Sequence, residues 1–495
     1  MKTVFFLIVF LFIPITGYAV TIHVPGDYST IQKAIDAAGS GDMVLVSPGT
    51  YVENIDFMGK AITVKSSNGP DVTVIDGNKK SSVVTFSSGE GHDSVLDGFS
   101  ITNGSGTYDG YDQCGGGIYC KDSSPTLKNL IVQNNRVDMS GGYANGGGIY
   151  CSNSTAVITS CNITNNMVGL WSGSGAGIYS FNSSLVVSNN VISGNQVLAT
   201  GMGGGVFSDG QSDHISNNMV FENSSGAFDG NGGGMAIFGM ADLRNNTVCD
   251  NQAPQGDGGG IHCNSGSSAM IVNSIVRGNK AEYSGPQIFG YPPLEHCNVE
   301  GGYPGLGNIN QEPLFKNPSA GDYHLTWMSP CINRGTNIGA PSTDIDGEKR
   351  PFMGTVDMGA DEFTGTHPLE ADVFALSVSA KTPMNFKLNA GPGQAYKNYV
   401  LLGCWTGSTP GLTLPGGKPI MPINWDALTN YIFARLNLPI FTNFLGKLDS
   451  KGTASALFDP QGAVTGMVGL TFTFAYATFT PWDFASNPVN ALIVK

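Results

Sequence analysis

The residues of this chain best suited to chemistry are carboxylates and aromatic rings that recur in short variable stretches. They are Tyr108, Asp109, Tyr111 and Asp112, then Asp138 and Tyr143, then Trp171, then Phe228 and Asp229, then Asp257. Aromatic faces pack on the C–H faces of sugar rings, and carboxylates accept hydrogen bonds from sugar hydroxyls, so the pattern reads as a glycan-contacting surface. Glycoside hydrolysis needs two carboxyls about 5–9.5 Å apart, one of them with a raised pKa. The spacing allows Asp109 or Asp112 beside Asp138, or Asp229 beside Asp257. The competing reading makes all ten residues ordinary loop residues that cover a core edge.

Other chemistry finds less support. A polyuronate lyase needs an Arg or Lys near the carboxylates, and in this region the basic residues are Lys121, Lys128, Arg136, Arg244, Arg277 and Lys280. Arg136 alone lies close to the acidic stretches. His92, His214 and His262 are scattered, no CxxC pair occurs, and Asp344-Ile345-Asp346-Gly347 lacks the other ligands of a calcium loop. The chain has no phosphate loop, nucleophile elbow or dinucleotide fingerprint. No catalytic residue, metal ligand or cofactor is therefore assigned.

These stretches sit between regular elements. A Gly-rich phrase begins at Gly115, Gly146, Gly175, Gly203, Gly232 and Gly258: GGGIYC, GGGIYC, GAGIYS, GGGVFS, GGGMAI and GGGIHC. In phase with it runs an aliphatic residue, two variable ones and Asn, ending at Asn135, Asn166, Asn195, Asn223, Asn251 and Asn279. Six residues upstream lies another column: Asn129, Ser160, Asn189, Asn217, Asn245 and Asn273. The apolar runs are short, rich in Ile and Val and bounded by Gly and Asn, which is strand and turn chemistry. Short strands at this period stack as a parallel β-helix, and both Asn columns are expected to bond from coil to coil at its corners.

Before the repeats, Ser29-Thr30-Ile31-Gln32 predicts a capping box, and Ile31, Ala34, Ile35 and Ala38 share one face of a helix that would close the end of the core. The first residues, with apolar Val4 to Ile13 and a small-residue site at Gly17-Tyr18-Ala19, read as a secretory signal peptide. They predict export to the extracellular space or cell surface, with no transmembrane span in the mature chain. A net charge of −14 and a charged fraction of 13% exclude nucleic-acid binding through a basic surface. Nine cysteines in an exported chain leave at least one outside any internal pair. Cys120 and Cys151 occupy one column, where burial as small apolar side chains is favoured over a disulfide.

The stretch STIQKAIDAAGSGDMVLVSPGTYVENIDFMGKAITVKSSNGPDVTVIDG, from Ser29, resembles the opening segment of right-handed β-helix proteins of the pectin esterase and pectate lyase type. The GGGI and aliphatic-x-x-Asn pair resembles the repeat of chlamydial polymorphic outer-membrane proteins, which are β-helix adhesins. QEPLFKNPSAGDYHLTWMSPCINRGTN, from Gln311, and STDIDGEKRPFMGTVDMGADEF, ending at Phe363, are similar to the closing segment of secreted bacterial β-helix proteins. The resemblance implies right-handed coils and, at Asp344 to Gly347, a structural turn. The polygalacturonase and pectin esterase catalytic motifs are missing.

The predicted organisation is all-β: a signal peptide at 1–19, a right-handed parallel β-helix solenoid with an N-terminal capping helix at 20–363, a linker at 364–370, and a smaller β-rich, sandwich-like domain at 371–495. Within the last, Asn424 to Leu436 carries helical spacing. The expected function is glycan or surface binding without catalysis, with a polysaccharide or cell-surface glycan as partner. The alternative is an extracellular polysaccharide lyase or glycoside hydrolase acting on acidic polysaccharide.

Overall fold

The computed structural model describes residues 19–495 except 140, 141, 170, 353, 366 and 418. The predicted signal peptide, Ala19 aside, lies outside the described residues. The chain divides into two compact units.

The first unit is a parallel β-solenoid. One coil shows the plan: Ile118–Lys121 on one face, Thr126–Lys128 on the next and Ile131–Gln133 on the third. Stacked coils extend these faces into parallel sheets of nine, eleven and ten strands. In-register pairing places like on like, Ile118 on Ile149 and Val132 on Ile163, so the alternate side chains pointing inward form one continuous apolar core. Each fully buried Ile, Val or Leu contributes about 1.5–3 kcal/mol.

The first Gly of each triplet takes the left-handed conformation, with φ between 63° and 68°. The third fits only without a side chain: a Cβ on Gly177 would lie 2.4 Å from the Gly205 carbonyl of the next coil.

The aliphatic-x-x-Asn column forms the ladder expected of it. Asn135, Asn166, Asn195, Asn223, Asn251 and Asn279 are buried, and each Nδ2 donates to the next Asn Oδ1 at 2.9–3.0 Å. Gln287 ends the series, its Oε1 accepting from Asn279 at 2.8 Å.

The upstream column behaves differently. Asn129, Ser160, Asn189, Asn217, Asn245 and Asn273 have φ between 51° and 57° and turn the corner rather than line the interior. The inward ladder sits one residue later, where Asn190 donates to Asn218 and Asn218 to Asn246, each at 3.0 Å. Coil-to-coil bonds occur in part of this column, where Asn217 donates to Asn189 Oδ1 at 3.1 Å and Asn273 to Asn245 Oδ1 at 3.2 Å, and the same amides also hold the closing segment: Asn217 donates to the Thr343 carbonyl at 2.6 Å, Asn245 to Asp357 at 3.0 Å and Asn273 to Thr336 at 2.8 Å.

The capping helix spans Ile31–Ala37, with Ile31, Ala34 and Ile35 buried. Its N-cap is Thr30, not Ser29, and no Ser29–Gln32 box forms. The Glu53 carboxylate accepts from the Ile31 and Gln32 N–H groups at 3.0 and 3.1 Å, which leaves the Gln32 amide to bond the Asp56 backbone of the first coils. All nine cysteines are buried, and no disulfide joins any two of them among the described residues. Cys120 and Cys151 pair in register, but the Cys120 thiol donates to the Ser123 carbonyl at 2.9 Å. Burial pushes the thiols of Cys161, Cys263 and Cys297 up to about 12.

The second unit packs a four-stranded and a six-stranded sheet around one core that includes Phe386, Phe444, Phe458 and Phe474. Its first strand, Leu369–Ala371, begins within the stretch read as a linker and pairs with Met384–Asn389. The helix expected at Asn424–Leu436 is shorter, Ala427–Phe433, and starts at a capping box of Asp426 and Thr429. Among the described residues no helix is long and apolar enough to cross a membrane.

Candidate functional site

After each inward Asn the chain leaves the coil on a short strand, loops through solvent and returns to the next triplet. In one coil these are Arg136–Val137 and Ala144–Asn145. Three outgoing strands pair into a three-stranded sheet, and three returning strands with the outgoing Thr107–Tyr108 make a four-stranded one. A small cluster of Val137, Ala144, Val168, Ala176 and Val197 stiffens them. Single bridges from Ser172 to Thr200 and from Thr200 to Phe228 continue the row. The loops therefore rise from one side of the solenoid at fixed spacing, a strand separation of about 4.8 Å per coil.

All five predicted aromatic residues, Tyr108, Tyr111, Tyr143, Trp171 and Phe228, are 58–84% exposed in this row. A ring held in water by a braced loop is a ready contact for an apolar face of a ligand.

Three of the carboxylates beside them, Asp109, Asp112 and Asp138, are bound up in the loops. Tyr108 to Asp112 form a hairpin tip in which Asp109 Oδ1 accepts from the N–H groups of Tyr111 at 3.1 Å and Asp112 at 3.0 Å. Its other oxygen meets Lys121 Nζ at 3.4 Å. Burial pushes the Asp109 carboxyl up, but those amides and Lys121 outweigh it and hold the group below its usual range. Asp112 is raised, by burial first and by the charge of Asp109, against a bond from the Tyr143 N–H at 3.2 Å.

Asp138 is clasped by Arg136, whose Nη2 donates to it at 3.2 Å, so this cation is committed to a neighbour two residues away. Asp229 occupies a left-handed turn at φ 47°. Asp257 lies in a later coil, where its N–H donates to Asn231 Oδ1 at 2.7 Å. Asp109, Asp112 and Tyr143 are thus linked directly, while Asp138 and Asp257 hold separate local posts.

Two groupings went unread in the sequence. Tyr119, Tyr150, Tyr179 and Phe207 stack on the outward side of the triplet strands with centroids 5.0–5.5 Å apart. At the next coil the register partner is Ala236, and Phe238 takes its place before His262 and Phe289 continue the pile. The signal was present as the aromatic letter after each Gly-Gly-Gly-Ile. His262 is kept neutral there, since burial among rings lowers its affinity for a proton.

The other grouping joins His324, on the strand Asp322–Leu325, with Asp346 and Asp361. Asp322 Oδ1 lies 2.6 Å from His324 Nδ1, and Asp346 Oδ2 lies 2.9 Å from Nε2. Asp344 next door is the structural turn implied for it: its carboxylate accepts from the N–H groups of Asp346 at 3.0 Å, Glu348 at 2.7 Å and Glu362 at 3.0 Å.

A family model described as right handed beta helix region matches residues 29–220 and 116–301, together more than half of the chain. No curated protein shows significant similarity to it. The parallel coils, the stacked interior and this match agree, and the chain belongs to the right-handed β-helix family.

Proposed function

We propose that this protein is exported and binds glycans or a glycan-bearing surface through the row of loops, without catalysis. The observation that carries the reading is the line of solvent-held rings from Tyr108 to Phe228, beside carboxylates that serve as loop braces. Such a row offers successive sugar rings a stacking partner and a hydrogen-bond acceptor at the pitch of the coils. The second unit would serve attachment or assembly.

A second reading, cleavage of an acidic polysaccharide, is favoured by one feature: Asp109 is held low while Asp112 beside it is raised, the asymmetry that an acid and an ionised partner require.

Incubation of the purified chain with polyuronates and neutral glycans, followed for both binding and new chain ends, separates the readings. Binding is expected without new reducing ends or unsaturated products. Trp171→Ala is expected to weaken it about tenfold, which corresponds to about 1.4 kcal/mol. Product formation abolished by Asp112→Asn would establish the second reading, and no binding to any glycan would remove the first.

A further inference from the structure

We propose that His324, Asp346 and Asp361 form a binding site for a first-row divalent transition cation, Zn2+ or Mn2+, that clips the closing segment of the solenoid. One donor atom from each residue lies within 4.8 Å of the others. Ligands about 2.0–2.2 Å from a tetrahedral ion stand about 3.3–3.6 Å apart, so His324 Nε2 and Asp346 Oδ2, at 2.9 Å, are already near a ligand edge. Asp361 lies within 4.8 Å of both and closes in when the ion binds.

The strand directs the imidazole. Tyr323 and Leu325 are buried and His324 alternates to the other side, half-buried. Asp322 then meets Nδ1 at 2.6 Å and turns Nε2 towards the two carboxylates. A carboxylate on one imidazole nitrogen, with the other aimed at acidic oxygens, is the outer-shell arrangement that orients a metal-binding histidine and strengthens it as a ligand. Asp322 is thus a positioning residue.

Asp361 is only 5% exposed, so its carboxylate faces the group from a buried place. The imidazole selects the ion: calcium and magnesium take oxygen cages, whereas imidazole with carboxylate suits zinc and manganese. With Asp346 about half exposed, water completes the coordination.

Calorimetry on the full chain, stripped with chelator and titrated with Zn2+ alone, tests the assignment, with Co2+ absorption as a second readout of nitrogen and oxygen ligation. One equivalent is expected to bind, with a rise in melting temperature. Asp346→Asn, at an exposed position that the fold tolerates, is expected to weaken binding by at least about tenfold and to alter the Co2+ spectrum. Asp322→Asn is expected to weaken it by about 10–100-fold. Absence of binding, the result of a simple imidazolium–carboxylate clasp, overturns the proposal. So does an affinity unchanged in both variants, or Ca2+ binding as tightly as Zn2+ at the same site.

Discussion

The interior of the repeated coils and the segment that closes them solve one physical problem by opposite means. Both bury polar groups, and a buried polar group without a partner costs about 1–3 kcal/mol. In the coils the inward amide is answered by its own copy one turn away, so Asn135 to Asn279 form a chain of identical bonds. In the closing segment the partners occur once each, and the Arg350 Nε is buried without one. Arg350 and Glu362, both without exposure, face each other at 3.4 Å. Arg350 also donates to the carbonyls of Asp357 and Gly359, and Glu362 accepts from the N–H groups of Phe352 and Asp357. A repeated device spreads its load over many coils. A single device concentrates it.

The comparison breaks most visibly at the ion pair. Arg350→Met leaves Glu362 buried and uncompensated in a site that already raises its pKa by burial, and is expected to cost about 3–5 kcal/mol. Denaturant unfolding measures this. A loss below about 1 kcal/mol would mean that the closing segment is as tolerant as a surface loop.

The coil interior is tested next. Asn195 accepts from the backbone N–H and Nδ2 of Asn166, and donates to the Ile163 carbonyl and to Asn223. Asn195→Ala removes all four bonds from a fully buried place and is expected to cost about 2–4 kcal/mol. Asn189, at the left-handed corner with φ 57°, supplies the control. Asn189→Gly keeps the backbone conformation, gives up one part-buried bond from Asn217 at 3.1 Å, and is expected to cost about 1 kcal/mol or less. Equal losses at the two positions would erase the distinction between ladder and corner.

The same contrast explains what was legible in the sequence. The β-helix could be read because each coil restates its burial problem, so Gly115 and its five counterparts, and Asn135 and its five, recur in phase. A second inward ladder, one residue after the corner column, went unread. Its members, Asn190, Asn218 and Asn246, cover only three coils, and the column holds Cys161 before them and Ser274 after. The corner Asn beside each of them repeats more fully, because the left-handed conformation favours that residue for its own reason. The loop row was legible as a place, since variable length marks the turns that leave the core. The roles of its carboxylates were not, because the pairing of Asp138 with Arg136 and of Asp109 with Lys121 depends on how each loop folds back. His324, Asp346 and Asp361 come together only when the closing segment lies down, and no period announces it.

The smallest expected effect concerns the ring stack, where the repeated device admits a histidine, whose ordinary pKa lies near neutrality. His262 lies between Phe238 and Phe289, with its Nδ1 buried and without a hydrogen-bond partner. Burial lowers its pKa from the ordinary 6.5. Below about 6.5 the unfolded chain therefore takes up a proton that the folded chain resists, and stability falls as pH drops through that value. His262→Phe keeps a ring in the column and removes the proton uptake. Unfolding measured at pH 7.5 and pH 5.5 is expected to show a smaller acid loss in His262→Phe than in the parent chain, with little difference between the two at pH 7.5. An equal acid loss would place the sensitive groups elsewhere and would make the stack indifferent to which ring each coil supplies.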